Sequence, residues 1–286
     1  MKKKKIGDWI IIIFFFLLML VCLLPIWNIA VVSLSSTQAI INREVSFIPI
    51  GLNLDAYRYI WADKSFVQSL GFTAVLTVFC TVLSLVMTIL CAYPLAQRHL
   101  EGKKGINIFI VLTMYFSAGA IPNYLLMQSL NLLDTVWVLI VPNCLSVFNM
   151  IILKSFFSGI PESLKESAKL DGAGDFTILR HIYLPLSKSI LATLALFYAV
   201  GRWNGFTDIA MYITKPSYYT IQYKLYQILN SLTSVDSHVE GMATTAVTGE
   251  SMKAATVMFA TIPILIVYPW IQKYFTAGVT VGAVKE

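Results

Sequence analysis

Charged residues are scarce in this chain of 286 residues, since Asp, Glu, Lys and Arg together make up only 13% of it. Soluble globular domains contain about 25% charged residues, whereas 57% of this sequence is hydrophobic. The composition therefore indicates an integral membrane protein. The net charge of +6 does not indicate nucleic-acid binding, because the basic residues lie in loops between apolar runs and form no basic stripe with interleaved aromatic residues.

Ionisable residues are also missing from the cores of the apolar runs, where they would usually mark proton relays, ion sites or catalytic groups. The sequence has no G-x-x-x-x-G-K phosphate loop, no H-E-x-x-H metal motif and no G-x-S-x-G nucleophile motif. The four cysteines lie in apolar runs without metal-ligand spacing. We therefore expect no enzymatic activity, no metal site and no cofactor bound by this chain. Any uphill transport must take its energy from a partner.

Apolar runs of the roughly 20 residues needed to cross a bilayer recur six times. The first begins at Trp9 and is too long for a signal-peptide core; we expect Pro25 to kink or break it. The other five predicted spans cover residues 66–95, 106–127 (interrupted at Gly119 and Pro122), 135–153, 186–203 and 254–274. The aromatic residues of the 35–65 loop are typical of an interfacial belt. We predict an all-α membrane protein comprising a first helix with its external loop (1–64), a five-helix core (65–275) and a cytoplasmic tail (276–286).

The basic residues are distributed unequally between the two sides of this topology. Fourteen lie on the side of the N-terminus, namely Lys2–Lys5, Arg98, Lys103, Lys104, Lys154, Lys165, Lys169, Arg180, Lys188, Lys273 and Lys285. Six lie on the other side, namely Arg43, Arg58, Lys64, Arg202, Lys215 and Lys224, with Lys253 at a boundary. The positive-inside rule then predicts that both termini and the 158–185 segment are cytoplasmic.

The 158–185 segment is a long polar insert with helical character between the fourth and fifth spans. Pro161 suits the first turn of a helix, Gly172 suits its C-terminal stop, and Asp175 is expected to cap a second helix that ends at Pro185. Acidic Glu162 and Glu166 precede basic Lys165 and Lys169, as the helix dipole favours; Phe176, Leu179 and Tyr183 share a face of the second helix. From these residues alone, the insert is either an amphipathic loop on the lipid surface or a docking element for a soluble partner.

The same segment resembles the EAA loop of ABC importer permeases. The pattern is Glu166-Ser167-Ala168, then Gly172, Ile182 and Leu184-Pro185, with every spacing kept and Ser167 in place of the usual middle Ala. Asp171-Gly172-Ala173 matches the carbohydrate-importing form, and the Gly282–Lys285 ending resembles that of MalG-like subunits. The runs Met114–Leu126 and Ala195–Asp208 resemble LplC/YtcP-type permeases, which are associated with plant- or algal-polysaccharide fragments, including uronate-containing ones. The run Gly71-Phe72-Thr73 departs from relatives that often carry Asn before the hydroxyl residue, which removes a polar group from the start of the second span.

The resemblance implies a MetI-like permease fold and a set of partners. Glu166 would make a polar contact with a cytoplasmic ATPase, Ser167 and Ala168 would allow close packing, and Asp171 and Gly172 would form the turn. The partners would be a second permease subunit, an ATPase dimer that binds ATP and Mg, an extracellular solute-binding lipoprotein and the membrane lipid. The substrate would be an oligosaccharide, and the polar 204–250 loop would meet the binding protein.

Sugars are usually held by aromatic faces and hydrogen-bonding side chains, and seven residues are candidates for such contacts: Tyr115, Asn143, Asn149, Tyr198, Arg202, Trp203 and Asn204. Arg202 would attract a carboxylated sugar or, alternatively, extend to lipid headgroups. The two central asparagines would contact substrate or bond neighbouring helices. Two further alternatives remain open for the whole chain: a permease of the same fold for a non-sugar solute, and a stand-alone carrier.

Overall fold

The computed structural model describes residues 6–235 and 249–283, which form helices joined by turns and contain no β-strand. The helices are α1 Ile6–Ser33, α2 Thr37–Ile41, α3 Asp55–Ala62, α4 Lys64–Ala96, α5 Lys103–Tyr115, α6 Ala120–Ser129, α7 Trp137–Ile140, α8 Val147–Ser158, α9 Glu162–Leu170, α10 Asp175–Ile178, α11 Leu184–Leu186, α12 Lys188–Asn204, α13 Thr207–Tyr212, α14 Ile221–Val235 and α15 Gly249–Ala283. A 3-10 turn, Val141–Asn143, follows α7, another covers Pro216–Tyr218, and a π-helical turn, Leu179–Tyr183, joins α10 to α11.

Three helices, α1, α4 and α15, are individually long and apolar enough to cross a membrane. Three further apolar segments are bent pairs, in which α5 meets α6 at 113°, α7 with its 3-10 turn meets α8 at 43°, and the α10–α11 segment meets α12 at 83°. If each bent pair counts as one span, the described residues contain the six predicted spans.

The structure differs from the sequence expectations at several helix boundaries. Pro25 lies inside an unbroken α1, so the expected break is absent, in line with the tolerance of membrane helices for proline. The third span is sharply bent between Tyr115 and Ala120 rather than merely interrupted. The helix α15 continues to Ala283 through most of the predicted tail. Lys2–Lys5, residues 236–248 of the long loop and the last three residues of the tail lie outside the described part.

The chain divides into two compact units, Met1–Val67 with Lys224–Pro263 and Gln68–Tyr223 with Ile264–Glu286. In the first, the Tyr57 hydroxyl lies 2.7 Å from Ser33 Oγ at the end of α1, and Trp61 meets Phe259 edge to face with ring centroids 6.1 Å apart. In the second, Thr73 Oγ1 donates to Ser69 O and accepts the N–H of Ile221, the first residue of α14. A buried hydroxyl on α4, seven residues after the predicted start of the second span at residue 66, therefore fixes the start of α14.

Asp134 joins two turns of the second unit. Asn131 and Asp134 both have positive φ angles, near +55°, a conformation that Asn and Asp adopt more readily than most residues. The Asp134 carboxylate accepts the Thr214 hydroxyl at 2.7 Å and the backbone N–H groups of Thr214 and Lys215. These hydrogen bonds, those from Thr214 first, lower the pKa of Asp134 below its ordinary value of 3.8.

A pH-dependent contribution to stability follows from this lowered pKa. The folded pKa lies below the unfolded one, so the contribution is complete at neutral pH and is lost as pH falls below 3.8 through the folded value. We expect Asp134→Asn to lower the denaturation midpoint at pH 7, measured by helical circular dichroism in detergent, and the gap from the wild type to narrow at pH 3. Asp171→Asn, which removes an exposed carboxylate, is the control. An equal gap at both pH values would contradict the assignment.

Candidate coupling surface and membrane cavity

The 158–185 segment folds as two short helices separated by a tight glycine turn, as predicted. The helix α9 ends in a Schellman motif, in which the N–H of Gly172 bonds Lys169 O at 3.0 Å and that of Ala173 bonds Ala168 O at 2.9 Å. Gly172 has φ +81°, which disfavours any residue with a Cβ. The turn therefore depends on glycine at this position.

Two details of the segment were predicted incorrectly. Pro161 is the N-cap residue that precedes α9 rather than a residue of its first turn. Gly174, not Asp175, caps α10; Asp175 is its first helical residue, and its side chain pairs instead with Lys169 at 3.7 Å. The expected capping bond is thus replaced by an ion pair that crosses the glycine turn.

Polar contacts connect α9 to the loop that follows α4. Arg98 Nη1 lies 2.9 Å from Glu162 Oε2, and Lys165 Nζ donates to the side-chain carbonyl of Gln97. Lys103 Nζ, at the start of α5, donates to the Gln97 backbone carbonyl at 2.8 Å. The N-terminal half of α9 is therefore connected to the ends of two membrane helices.

The second half of the segment is embedded in the core of its unit. Ile178, Leu179 and Tyr183 are buried, and the Tyr183 ring meets Tyr93 of α4 and Phe157 of α8 edge to face, with centroids 5.1 and 5.3 Å apart. Such aromatic pairs contribute about 0.5–1.5 kcal/mol each beyond their buried area. Phe176, which was predicted to lie on the same face of the second helix as Leu179 and Tyr183, is 71% exposed.

The predicted coupling residues divide into an outer and an inner set. Glu166, Ser167, Asp171 and Gly172 are exposed, and the side chain of Glu166 forms no ion pair or hydrogen bond within the described residues. Leu170, which sequence reasoning missed, is 90% exposed. Together with Phe176 these residues form what we call the coupling surface.

Ala168 belongs to the inner set. It is half-buried and packs against the core cluster that contains Leu153 and Tyr183. Its small side chain is therefore explained by the close approach of α9 to this chain's own core. Contact between Ala168 and an ATPase stays a prediction.

A cavity of about 470 Å³ lies in the second unit. Four of the seven predicted substrate residues line it, namely Asn143, Asn149, Tyr198 and Arg202. Tyr115 is exposed at the end of α5, Trp203 is buried beside the cavity without lining it, and Asn204 accepts a hydrogen bond from Gln222 at 3.4 Å. The structure therefore groups the predicted residues into four that share a cavity and three that do not.

Arg202 is not a lone arginine at a membrane edge. It is 8% exposed, and its two Nη atoms lie 2.5 and 3.1 Å from the carboxylate oxygens of Asp208. Nη1 also donates to Leu139 O at 3.3 Å. The alternative in which Arg202 extends to lipid headgroups is therefore wrong. Asp208 was missed, although its place after the Gly205 turn, within a run that sequence analysis had noted, was the available signal.

The other cavity residues differ in how much of their hydrogen-bonding capacity is already used. The Tyr198 hydroxyl lies 2.7 Å from Thr88 Oγ1 and accepts the Ser146 N–H at 3.1 Å. Asn143 Nδ2 donates to Leu139 O at 3.3 Å. Asn149 is 5% exposed and lines the cavity, but its amide side chain forms no hydrogen bond within the described residues. Asn149 therefore has its full donor and acceptor capacity available inside the cavity.

The sequence matches the family model described as "Binding-protein-dependent transport system inner membrane component" over residues 81–281. The Bacillus subtilis (strain 168) polygalacturonan/rhamnogalacturonan transport system permease protein YtcP is 38% identical, with 99% of each chain covered. Protein LplC of the same organism is 39% identical over 93% of this chain and 90% of its own. A chain of a solved bacterial ABC transporter involved in the import of the acidic polysaccharide alginate is 32% identical, with a TM-score of 0.85 over 96% of this chain and 100% of that one.

The Arg202–Asp208 pair predicts a large and asymmetric response to substitution. Removing one partner of a buried ion pair costs about 3–5 kcal/mol, because the other charge stays buried, whereas replacing both by apolar residues is often nearly neutral. We expect Asp208→Asn to lower the free energy of unfolding, measured by denaturant titration in detergent, and Arg202→Met with Asp208→Leu to recover most of the loss. A double variant less stable than Asp208→Asn would contradict this expectation, because the ion pair would then stabilise the fold by more than the neutralisation of two buried charges.

Proposed function

Because this chain belongs to the family of binding-protein-dependent transport system inner membrane components, we propose that it forms half of the translocation pathway of an ATP-driven ABC importer. The other half is a second, different permease subunit. A cytoplasmic ATPase dimer supplies the energy, and an extracellular solute-binding lipoprotein delivers the substrate. The chain itself has no catalytic activity and binds no cofactor; ATP and Mg bind to the ATPase.

The coupling surface is the observation that carries this proposal. It combines an unpaired carboxylate, Glu166, with two exposed apolar side chains, Leu170 and Phe176. A lipid-surface helix would instead present a continuous apolar face opposite a basic one. The mixture of unpaired carboxylates, Glu166 and Asp171, with isolated apolar groups suits a shaped cleft on a soluble protein. We assign the surface to the ATPase, with Glu166 as its polar contact and the Gly172 turn as its shape determinant.

Motion of the ATPase would reach the membrane through two connections. The Glu162–Arg98 and Lys165–Gln97 contacts connect α9 to the loop between α4 and α5. Tyr183 connects the following helix to α4 and α8. Displacing the coupling surface would therefore displace α4, α5 and α8 together. If these helices move in both permease subunits, the translocation pathway changes from inward facing to outward facing.

The proposed substrate is an oligosaccharide, in particular a uronate-containing fragment of a plant or algal polysaccharide. The names of the relatives YtcP and the alginate transporter support this class. The cavity supports it with the free amide of Asn149 and a wall of hydroxyl and amide groups, which are typical of carbohydrate sites. Arg202 would bind a uronate only if the sugar carboxylate replaced Asp208 as its partner. The charged sugar is therefore assigned to the assembled pathway rather than to Arg202 alone.

The chain is proposed to lie in the plasma or inner membrane with both termini in the cytoplasm, as the distribution of basic residues indicates. The coupling surface is then cytoplasmic, on the side where ATP is available. A permease of the same fold for a non-sugar solute remains the second candidate, since neither the coupling surface nor the ion pair depends on the solute.

The coupling role is tested by Glu166→Lys in the reconstituted transporter. Because the substitution reverses an unpaired charge at the centre of the surface, we expect ATP hydrolysis to lose its stimulation by the substrate-loaded binding protein, while membrane insertion is unchanged. Glu101→Lys, which reverses an exposed charge outside the coupling surface, is the control. Normal stimulation in Glu166→Lys, or transport by the purified chain alone in liposomes, would refute the proposal.

The glycine turn provides a second test with a closely matched control. Gly172→Ala places a Cβ on a residue at φ +81°, which costs about 1–2 kcal/mol, although the Cβ would meet no atom within 4 Å. Gly174→Ala also meets no atom, and its φ of −73° suits alanine. We expect weaker ATPase stimulation only in Gly172→Ala. Equal effects of the two substitutions would show that the turn does not determine coupling.

The substrate class is tested by uptake of an oligogalacturonide into vesicles. Loss of one substrate hydrogen bond costs about 1–1.5 kcal/mol, so we expect Asn149→Leu to lower kcat/KM for uptake roughly tenfold, with ATPase stimulation retained. Asn123→Leu, on exposed α6 outside the cavity, is the control. If the binding protein has no affinity for any uronate oligosaccharide while Glu166→Lys still uncouples, the substrate class is wrong and the coupling role stands.

A further inference from the structure

The segment that follows α2 returns along the end of α1 instead of extending away from it. The Trp27 indole N–H donates to Phe47 O at 2.8 Å, and Asn28 Nδ2 donates to Ser46 O at 3.4 Å. Further along, Ser36 N–H donates to Ile50 O at 2.9 Å, and Asn53 N–H to Leu34 O at 2.9 Å. The segment therefore runs back along α1 as far as Trp27, and then reverses and passes the C-terminal end of the helix.

The depth of this descent follows from helix geometry. Trp27 lies six residues before Ser33, the last residue of α1, which corresponds to about 9 Å at 1.5 Å per residue. Trp9 and Trp27 are separated by about 27 Å on the same scale, close to the hydrocarbon thickness of about 30 Å. Tryptophans at both ends of such a stretch are typical of the two membrane interfaces. The residues beside Trp27 are thus level with the edge of the hydrocarbon.

The lowest part of the segment, residues 46–50, is Ser-Phe-Ile-Pro-Ile and carries no charge. Phe47 and Ile48 are exposed by 66% and 73%, and Trp27 of α1, which bonds the Phe47 carbonyl, is also exposed, by 54%. The nearest charged residues of the segment, Arg43 and Glu44, bond backbone atoms of α2, beyond the end of α1. Polarity therefore rises with distance from the level of Trp27, which is the gradient of a membrane interface.

The backbone of the 46–50 loop is partly compensated by hydrogen bonds to α1 and to the residues that follow it. The carbonyl groups of Ser46 and Phe47 accept side-chain donors from α1, Pro49 has no N–H, and the Ile50 N–H donates to Ser35 Oγ at 3.3 Å. Unsatisfied backbone groups exclude irregular loops from hydrocarbon. The N–H groups of Ser46, Phe47 and Ile48 and the carbonyls of Ile48 and Pro49 have no hydrogen bond within the described residues. These groups limit insertion to the interface, where headgroups and water are within reach.

We propose that the 46–50 loop is a lipid-binding anchor, in which Phe47 and Ile48 insert among the acyl chains of the leaflet at the C-terminal end of α1. If a protein covered the loop, the polarity of its residues would not need to increase from the level of Trp27 toward the end of α1. A lipid leaflet requires this gradient. The loop would hold the end of α1 and the start of the external segment at a fixed level in the membrane.

The test uses a nitroxide label at Ile48→Cys, with the four native cysteines changed to Ala, in the full chain reconstituted into phosphatidylcholine–phosphatidylglycerol vesicles. We expect the label to be more accessible to oxygen than to a water-soluble nickel chelate, giving an accessibility ratio above one. Leu52→Cys is the matched control, since Leu52 is also apolar and is 78% exposed but lies between two residues bonded at the end of α1. Its ratio should fall below one.

A second measurement leaves the native cysteines in place. A photoreactive benzophenone residue at position 48, illuminated in cell membranes, should produce lipid adducts detected by mass spectrometry. If the ratio of oxygen to nickel-chelate accessibility at position 48 is below one and equal to that at position 52, the proposed anchor is wrong. Cross-linking of position 48 to a second permease or to the binding protein would overturn it in favour of a protein contact.

Discussion

The packing of Tyr183 against Tyr93 and Phe157 is the interaction on which the rest of the second unit depends. These rings belong to the segment after the coupling surface, to α4 and to α8, and all three are buried. The π-helical turn that carries Tyr183 reaches from Leu179 to Tyr183, and Leu184 N–H bonds the carbonyl five residues back. The wider turn fits the ring into the core while the chain continues into Pro185. An exposed surface is in this way attached to a rigid interior.

The elements that sequence analysis predicted correctly are those determined locally. Long apolar runs gave the number of candidate spans, the spacing from Glu166 to Pro185 gave the family, which is confirmed, and Gly172 ends α9 with a positive φ as expected. Helix caps were predicted less well. Asp175 has the right chemistry for a cap, but Lys169 lies across the turn and takes its carboxylate. Such competition between partners depends on tertiary distance, which a single sequence does not contain.

The cavity shows the same limit. Asn143, Asn149, Tyr198 and Arg202 were chosen by residue type, and the fold brings these four together. What residue type could not reveal is which of them still has free hydrogen-bonding capacity. Tyr198 and Arg202 are occupied by neighbours from other helices, whereas Asn149 is not. Asp208 was missed because a carboxylate in a polar loop is usually solvated, and only the fold places it against a buried guanidinium.

The two faces of α9 impose different requirements on its residues. The outer face must remain available to a partner, so Glu166 and Leu170 stay exposed. The inner face must not move independently of the membrane helices, so Ala168 packs inward, and Glu162 and Lys165 are bonded to the loop after α4. Because exposed ion pairs alone contribute little, the rigidity of this connection has to come from the aromatic core. A force applied at the coupling surface therefore reaches the membrane through packing, with the polar contacts setting its direction.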